Sequence, residues 1–209
     1  MTFHRSLIRR SALVAVTVAA GLVLAACASS SSGHDMSSMD SSSTPSASAS
    51  ASAGAHNAQD VAFAQQMITH HRQAIEMADL AATRASSSEV KSLATTIKGA
   101  QDPEIKTMSG WLTSWGEAVP EDMAGMGHDM SSGMPGMMSA ADMTKLDKAS
   151  GTEFDTMFLQ MMVQHHQGAV EMAKTEQSKG AYGPAKTLAA SVITAQTAEI
   201  KQMNSLLSK

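Results

Sequence analysis

The stretch "DVAFAQQMITHHRQAIEMA" (residues 60–78) returns as "DTMFLQMMVQHHQGAVEMA" (155–173), aligned without a gap. Identical pairs include Asp60/Asp155, Phe63/Phe158, Met67/Met162, His70/His165, His71/His166, Glu76/Glu171 and Met77/Met172. The same offset persists downstream, where "LATTIKGAQDPEIKTMSGWL" (93–112) aligns with "LAASVITAQTAEIKQMNSLL" (188–207) and keeps Gln101/Gln196, Glu104/Glu199, Ile105/Ile200, Lys106/Lys201 and Met108/Met203. A duplication at one fixed offset marks a unit built twice. Each copy holds two segments, so the chain reads A, B, A′, B′.

All four segments read as helices. In A, Phe63, Met67, His70, Ala74 and Met77 step by four and three, and Ala64, Ile68, His71, Ile75 and Ala78 fill the adjacent stripe. Gln65, Thr69, Arg72, Gln73, Glu76 and Asp79 take the opposite side. "SSSE" (86–89) is a capping-box start for B, and Gly116 is its stop. Pro103 falls inside B, where it removes a backbone donor and predicts a kink; Pro184 suits the first turn of B′. Short links within each pair predict antiparallel hairpins. The expected fold is all-α, an up-down four-helix bundle over 58–209, with repeat one at 58–116, a loop at 117–139 and repeat two at 140–209.

At 100° per residue, both histidines of each pair fall within the apolar arc, and Glu76 points away. A buried imidazole needs a hydrogen-bond partner or a metal, because leaving it unpaired costs ~1–3 kcal/mol. A single one is commonly a hydrogen-bonded core residue. Two adjacent ones, duplicated and preceded by Met, favour ligand use. A carboxylate-bridged di-iron site would need Glu-x-x-His on two helices. Here the candidates read Glu76-x-x-Asp79 and Glu171-x-x-Lys174, so that chemistry is excluded.

Thioether is abundant: 18 Met stand against four Phe, two Trp and one Tyr. Met in the helices is commonly packing. Met123, Met126, Met130, Met134, Met137 and Met138, with His128, lie instead among Gly, Ser and Pro in the loop between the halves. The hexapeptide GHDMSS occurs there at 127–132 and also at 33–38, which adds His34 and Met36, with Met39 just beyond. Exposed Met outside a cell is open to oxidation, so its concentration in these stretches points to use. Thioethers select Cu(I), and imidazole suits copper in either oxidation state. Imidazoles protonate near pH ~6.5, so sites that depend on His are expected to weaken at pH 5 while Met-only sites hold.

The N-terminus sets the compartment. Arg5, Arg9 and Arg10 precede the uncharged run "SALVAVTVAAGLVLA", the pattern of a secretory leader over 1–26. The run ends "LAAC", which resembles a bacterial lipobox with Cys27 as the acylated mature N-terminus. More than one acyl chain there would anchor the protein stably at the outer face of the cytoplasmic membrane. Residues 27–57 are chiefly Ser, Ala and Gly, a disordered tether beyond the lipid. Loss of the leader takes three Arg and no acid, moving the net charge from −4 to −7, which excludes nucleic acid as a partner. Cys27 is the only cysteine, so internal disulfides are excluded too.

At "MITHHRQAIEMA" and "MMVQHHQGAVEMA", and again at "AEIKQM" near the end, the chain resembles the bacterial family catalogued as domain of unknown function 305, over roughly 58–207. The resemblance implies a ferritin-like four-helix bundle, secreted or membrane-anchored, that binds copper or silver in some members. Carried onto this chain, the motif positions are Met67, His70, His71 and Met77, then Met162, His165, His166 and Met172. The expected function is an extracytoplasmic lipoprotein that buffers Cu(I), or Ag(I), for resistance or for transfer to a copper-accepting protein. Nothing supplies a nucleophile, an acid–base pair or a substrate pocket, so no catalysis is expected. The alternative is a metal-independent, membrane-tethered helical interaction module.

Overall fold

The computed structural model describes residues 54–121 and 133–209. The expected leader, the expected lipidation site Cys27 and most of the expected tether lie outside these, as do His34, Met36, Met39, Met123, Met126, His128 and Met130. Among the described residues there are five helices: α1 (Ala58–Arg84), α2 (Ser88–Trp115), α3 (Ala140–Lys148), α4 (Gly151–Lys179) and α5 (Gly183–Leu207). The segments A, B, A′ and B′ are α1, α2, α4 and α5. None of the described helices is long and apolar enough to cross a membrane.

Local signals set the helix ends. The Asn57 side chain accepts from the amides of Gln59 and Asp60, and the Asp60 carboxylate accepts in return from the Asn57 amide, a complete capping box for α1. Gly116 closes α2 in the left-handed region at φ 75°, and Pro184 lies in the first turn of α5. One detail differs from expectation. The N-cap of α2 is Ser87, not Ser86, because Ser86 is drawn into a contact with α4 described below. Pro103 lies inside α2, which runs on to Trp115.

Helix α3 falls within the stretch expected simply to open repeat two. Ser139 caps it by accepting from the Asp142 amide, and Met143 and Leu146 are buried against the core beside α1 and α4. Two large apolar side chains in nine residues are too few to show a helical stripe in the sequence.

Helices α1 and α2 form one hairpin and α4 and α5 the other, each turned by three residues (85–87 and 180–182). The hairpins join along α1 and α4, which run antiparallel. Each turn is clasped by an aspartate from the opposite hairpin. Asp155 accepts from the amides of Ser86 (3.1 Å) and Ser87 (2.9 Å) and from the Ser86 hydroxyl. Asp60, its repeat equivalent, accepts from the amides of Ala181 (3.1 Å) and Tyr182 (2.9 Å). The repeat is thus an approximate two-fold axis in space.

One exception to the symmetry lies beside Asp60. Position 176 is a fully buried Glu where repeat one has Ala81. Burial pushes the Glu176 carboxyl up to about 8, and the neighbouring Asp60 adds to the rise. Burial acts in the same sense on Asp60, but Glu176 and the backbone amides outweigh it and hold that carboxyl below its ordinary range.

The core has two apolar ends. One gathers Phe63, Met67 and Ile68 of α1 with Met108 and Leu112 of α2, Met172 of α4 and Val192 of α5. The other gathers Met77, Leu93, Ile97, Phe154, Phe158, Met162 and Met203 with α3. Between them lies a layer that is not apolar.

Candidate metal centre

Four imidazoles fill that layer. His70, His71, His165 and His166 are each 0% exposed. The apolar arcs of α1 and α4 face each other, so the paired histidines meet where the axis passes. The rings of His70 and His165 approach with centroids 3.6 Å apart, tilted by 37°. The other two point to the flanking helices: His71 Nε2 lies 2.7 Å from Glu104 Oε2, and His166 Nε2 lies 2.7 Å from Glu199 Oε2. Glu104 and Glu199 are repeat equivalents, and their role was carried in the sequence only by that identity.

These partners settle the tautomers. A carboxylate or carbonyl oxygen only accepts, so the imidazole nitrogen facing it must carry the proton. His71 and His166 therefore donate from Nε2 to their glutamates. His70 donates from Nε2 to the Pro135 carbonyl at 3.1 Å. A neutral ring bonded in this way carries its lone pair on Nδ1, and none of these three Nδ1 atoms has a hydrogen-bond partner among the described residues. In His165 both ring nitrogens lack one. A histidine whose distal N–H is held by a carboxylate while its other nitrogen faces inward is the usual arrangement behind a metal ligand. Burial, reinforced by the nearby His71, pushes His70 down to about 3. Burial and His70 hold His165 far below its ordinary value. The central pair is neutral, as metal ligation requires.

The methionines divide by distance. Met67 and Met162 are fully buried one helical turn before His70 and His165. Met77 and Met172 are also buried but lie seven residues beyond them, roughly 10 Å along the helix. All four belong to the apolar ends of the core, and only their spacing along the helix sets Met67 and Met162 nearer the histidines. Among the described residues, no three or more His, Cys, Asp or Glu side chains gather as a metal-holding group. Any site here must draw on thioethers as well as imidazoles.

The described part of the loop also reaches the layer. Met138 is buried, and Met134 and Met137 are half-buried. Gln73, expected on the solvent side, instead binds the Met138 backbone twice: its carbonyl accepts from the Met138 amide (2.7 Å) and its amide donates to the Met138 carbonyl (3.0 Å). Its repeat equivalent is Gly168, a buried helical glycine where an added Cβ would sit 2.0 Å from the Pro135 carbonyl oxygen. The Gln73/Gly168 mismatch is one of several in the aligned stretch, so the sequence did not single out this contact.

The family described as domain of unknown function (DUF305) matches residues 60–207. No curated protein matches the chain. Among solved structures, the chain is similar to one described as a secreted DUF305 protein from Streptomyces coelicolor, at 35% identity and TM-score 0.64, covering 72% of this chain and 92% of that one. It is also similar to a DUF305 fragment from Deinococcus radiodurans (30% identity, TM-score 0.65, 73% and 97% covered). The Cu(II)-bound form of CopM is 35% identical, with TM-score 0.62 and 71% and 95% covered. CopM has also been solved in Cu(I)-bound, silver-bound and apo forms.

Proposed function

We propose that this chain, which belongs to the DUF305 family, is an extracytoplasmic copper-binding lipoprotein that holds Cu(I) as cargo and carries out no catalysis of its own. The observation that carries the reading is the set of buried imidazole lone pairs without partners, one helical turn from Met67 and Met162. Bare polar atoms in an apolar bundle are costly, and a soft cation ligated by imidazole and thioether would offset that cost. The Cu(I), Cu(II) and silver forms of CopM support a metal-binding role in this family. The secreted relative from Streptomyces coelicolor supports export, and the lipobox at Cys27 supports anchoring. The Met-rich segment between the halves captures the ion, and the histidine layer retains it for buffering, resistance or delivery to an accepting protein.

The test is an anaerobic competition for Cu(I) against a chromophoric chelator. The chain should withdraw copper from the chelator. Met67→Leu with Met162→Leu should weaken the tightest site by roughly tenfold or more, and changing the six loop methionines to Leu should lower the capacity. A wild-type chain that never competes would sink the reading. A metal-independent tethered module is favoured by one observation, that no three charged or imidazole ligands converge among the described residues. Thermal stability unmoved by Cu(I) would support that alternative.

A further inference from the structure

We infer that residues 134–138 are a removable plug over the His70–His165 pair, and that Gln73 and Gly168 are the positioning residues that dock it. As a gate for copper this rests on the reading above; as a device that controls access to the histidine layer it stands on geometry alone. The plug is held almost entirely through its backbone. The Pro135 carbonyl accepts the His70 Nε2 proton, and the Met138 amide and carbonyl both pair with the Gln73 side chain, as a neighbouring strand would pair with them. Between these points the chain lies directly on α4. Gly136 is at φ 77°, and a Cβ there would come within 2.7 Å of the Gln164 carbonyl and 2.9 Å of the His165 carbonyl. The approach is closest over Gly168. A glycine inside a helix is unfavourable relative to alanine, and here it gives the clearance that Pro135 and Gly136 need.

The two repeats differ where the plug needs them to differ. Position 73 supplies the grip and position 168 the clearance, so the plug can lie across the axis in one sense only. Three hydrogen bonds and one buried Met138 side chain hold it, against two apolar ends holding the helices. It is therefore an element that opens locally without unfolding the bundle. Lifting it exposes His70, which is fully covered when the plug is down.

The test uses the full-length chain and two variants that act on the plug from opposite helices. Gln73→Ala removes both Met138 contacts. Gly168→Ala improves the helix propensity of α4 while driving Pro135 off it, so a failure of α4 to fold does not confuse the result. Diethyl pyrocarbonate labelling, mapped by mass spectrometry, reads access to His70 without any metal. Both variants should be labelled at His70 faster than wild type by roughly tenfold or more, the scale set by losing two hydrogen bonds, with His166 labelling unchanged. Equal His70 rates in all three proteins would overturn the plug. Cu(I) uptake followed in parallel separates the two claims. Faster labelling in chains that take no copper keeps the plug and removes the copper reading. Normal copper uptake with unchanged labelling does the reverse.

Discussion

His70 and His165 meet ring to ring at the centre of an apolar bundle, and burial overrides the intrinsic chemistry of imidazole. From sequence, sites that use His are expected to fail at pH 5. In the fold, His70 titrates at about 3 and His165 is held low as well, so the pair stays neutral and competent at pH 5. A variant with the loop methionines changed to Leu should therefore still retain Cu(I) at pH 5, measurable by equilibrium dialysis; loss of all copper at that pH would contradict the neutral pair. The same burial makes these histidines a source of acid lability. Unfolded, they take up protons below pH ~6.5; folded, they do not, so stability declines as pH falls from there toward 3. Glu176 works from the other side. Its folded value, about 8, lies above the ordinary carboxyl range, so its contribution is complete at low pH and is lost as pH rises toward and through 8. Glu176→Gln should raise the melting temperature at pH 9 by ~4–8 °C, the scale of about 2 kcal/mol in a domain of this size, and change it little at pH 5. A variant that melts no higher than wild type at pH 9 would show that the fold does not raise the Glu176 carboxyl.

At the scale of the element, the helices were legible because periodicity and repetition agree. The apolar steps from Phe63 to Met77 recur from Phe158 to Met172, and stop and start signals at Gly116 and Pro184 fall where the helices end and begin. What was hidden depends on contacts distant in sequence. Ser86 yields its place as cap because Asp155, from the other hairpin, binds it. Helix α3 is short and gains its burial from α1 and α4 rather than from any stripe of its own. Pro103 is the residue that most opposes helix α2, and it is exposed, with no packing to lose. Repeat two has Ala198 at the equivalent position in α5. Pro103→Ala should therefore stabilise the domain by ~1–3 kcal/mol through the restored backbone donor and the relieved ring clash. Chemical denaturation would register this as a higher midpoint at unchanged slope. A lower midpoint would mean that α2 needs its proline.

The whole molecule places a polar layer between two apolar ends, and metal binding there should act on global stability. Saturation at a hundredfold excess over Kd adds ~2.7 kcal/mol to a fold that alone binds the ion. Anaerobic calorimetry should show the full unfolding transition moving upward with Cu(I), as one cooperative event. A transition that stays in place would locate any copper outside the bundle. At this scale the sequence carried the four histidines and their two-fold relation, because duplication writes symmetry into the chain. It did not carry the tautomers, which follow from Glu104, Glu199 and Pro135 arriving from other elements. The division of Met67 and Met162 from Met77 and Met172, by contrast, was already legible in their spacing from the histidines. The plug was hidden for the opposite reason: it is where the symmetry fails. Two separate, identical hairpins associating as a homodimer would carry the same residue at both equivalents of position 73. Glutamine at both would clash with the crossing backbone, and glycine at both would leave it unheld. Covalent fusion of the halves is thus what permits a cover over the axis, because only within one polypeptide can the two copies diverge at a single site.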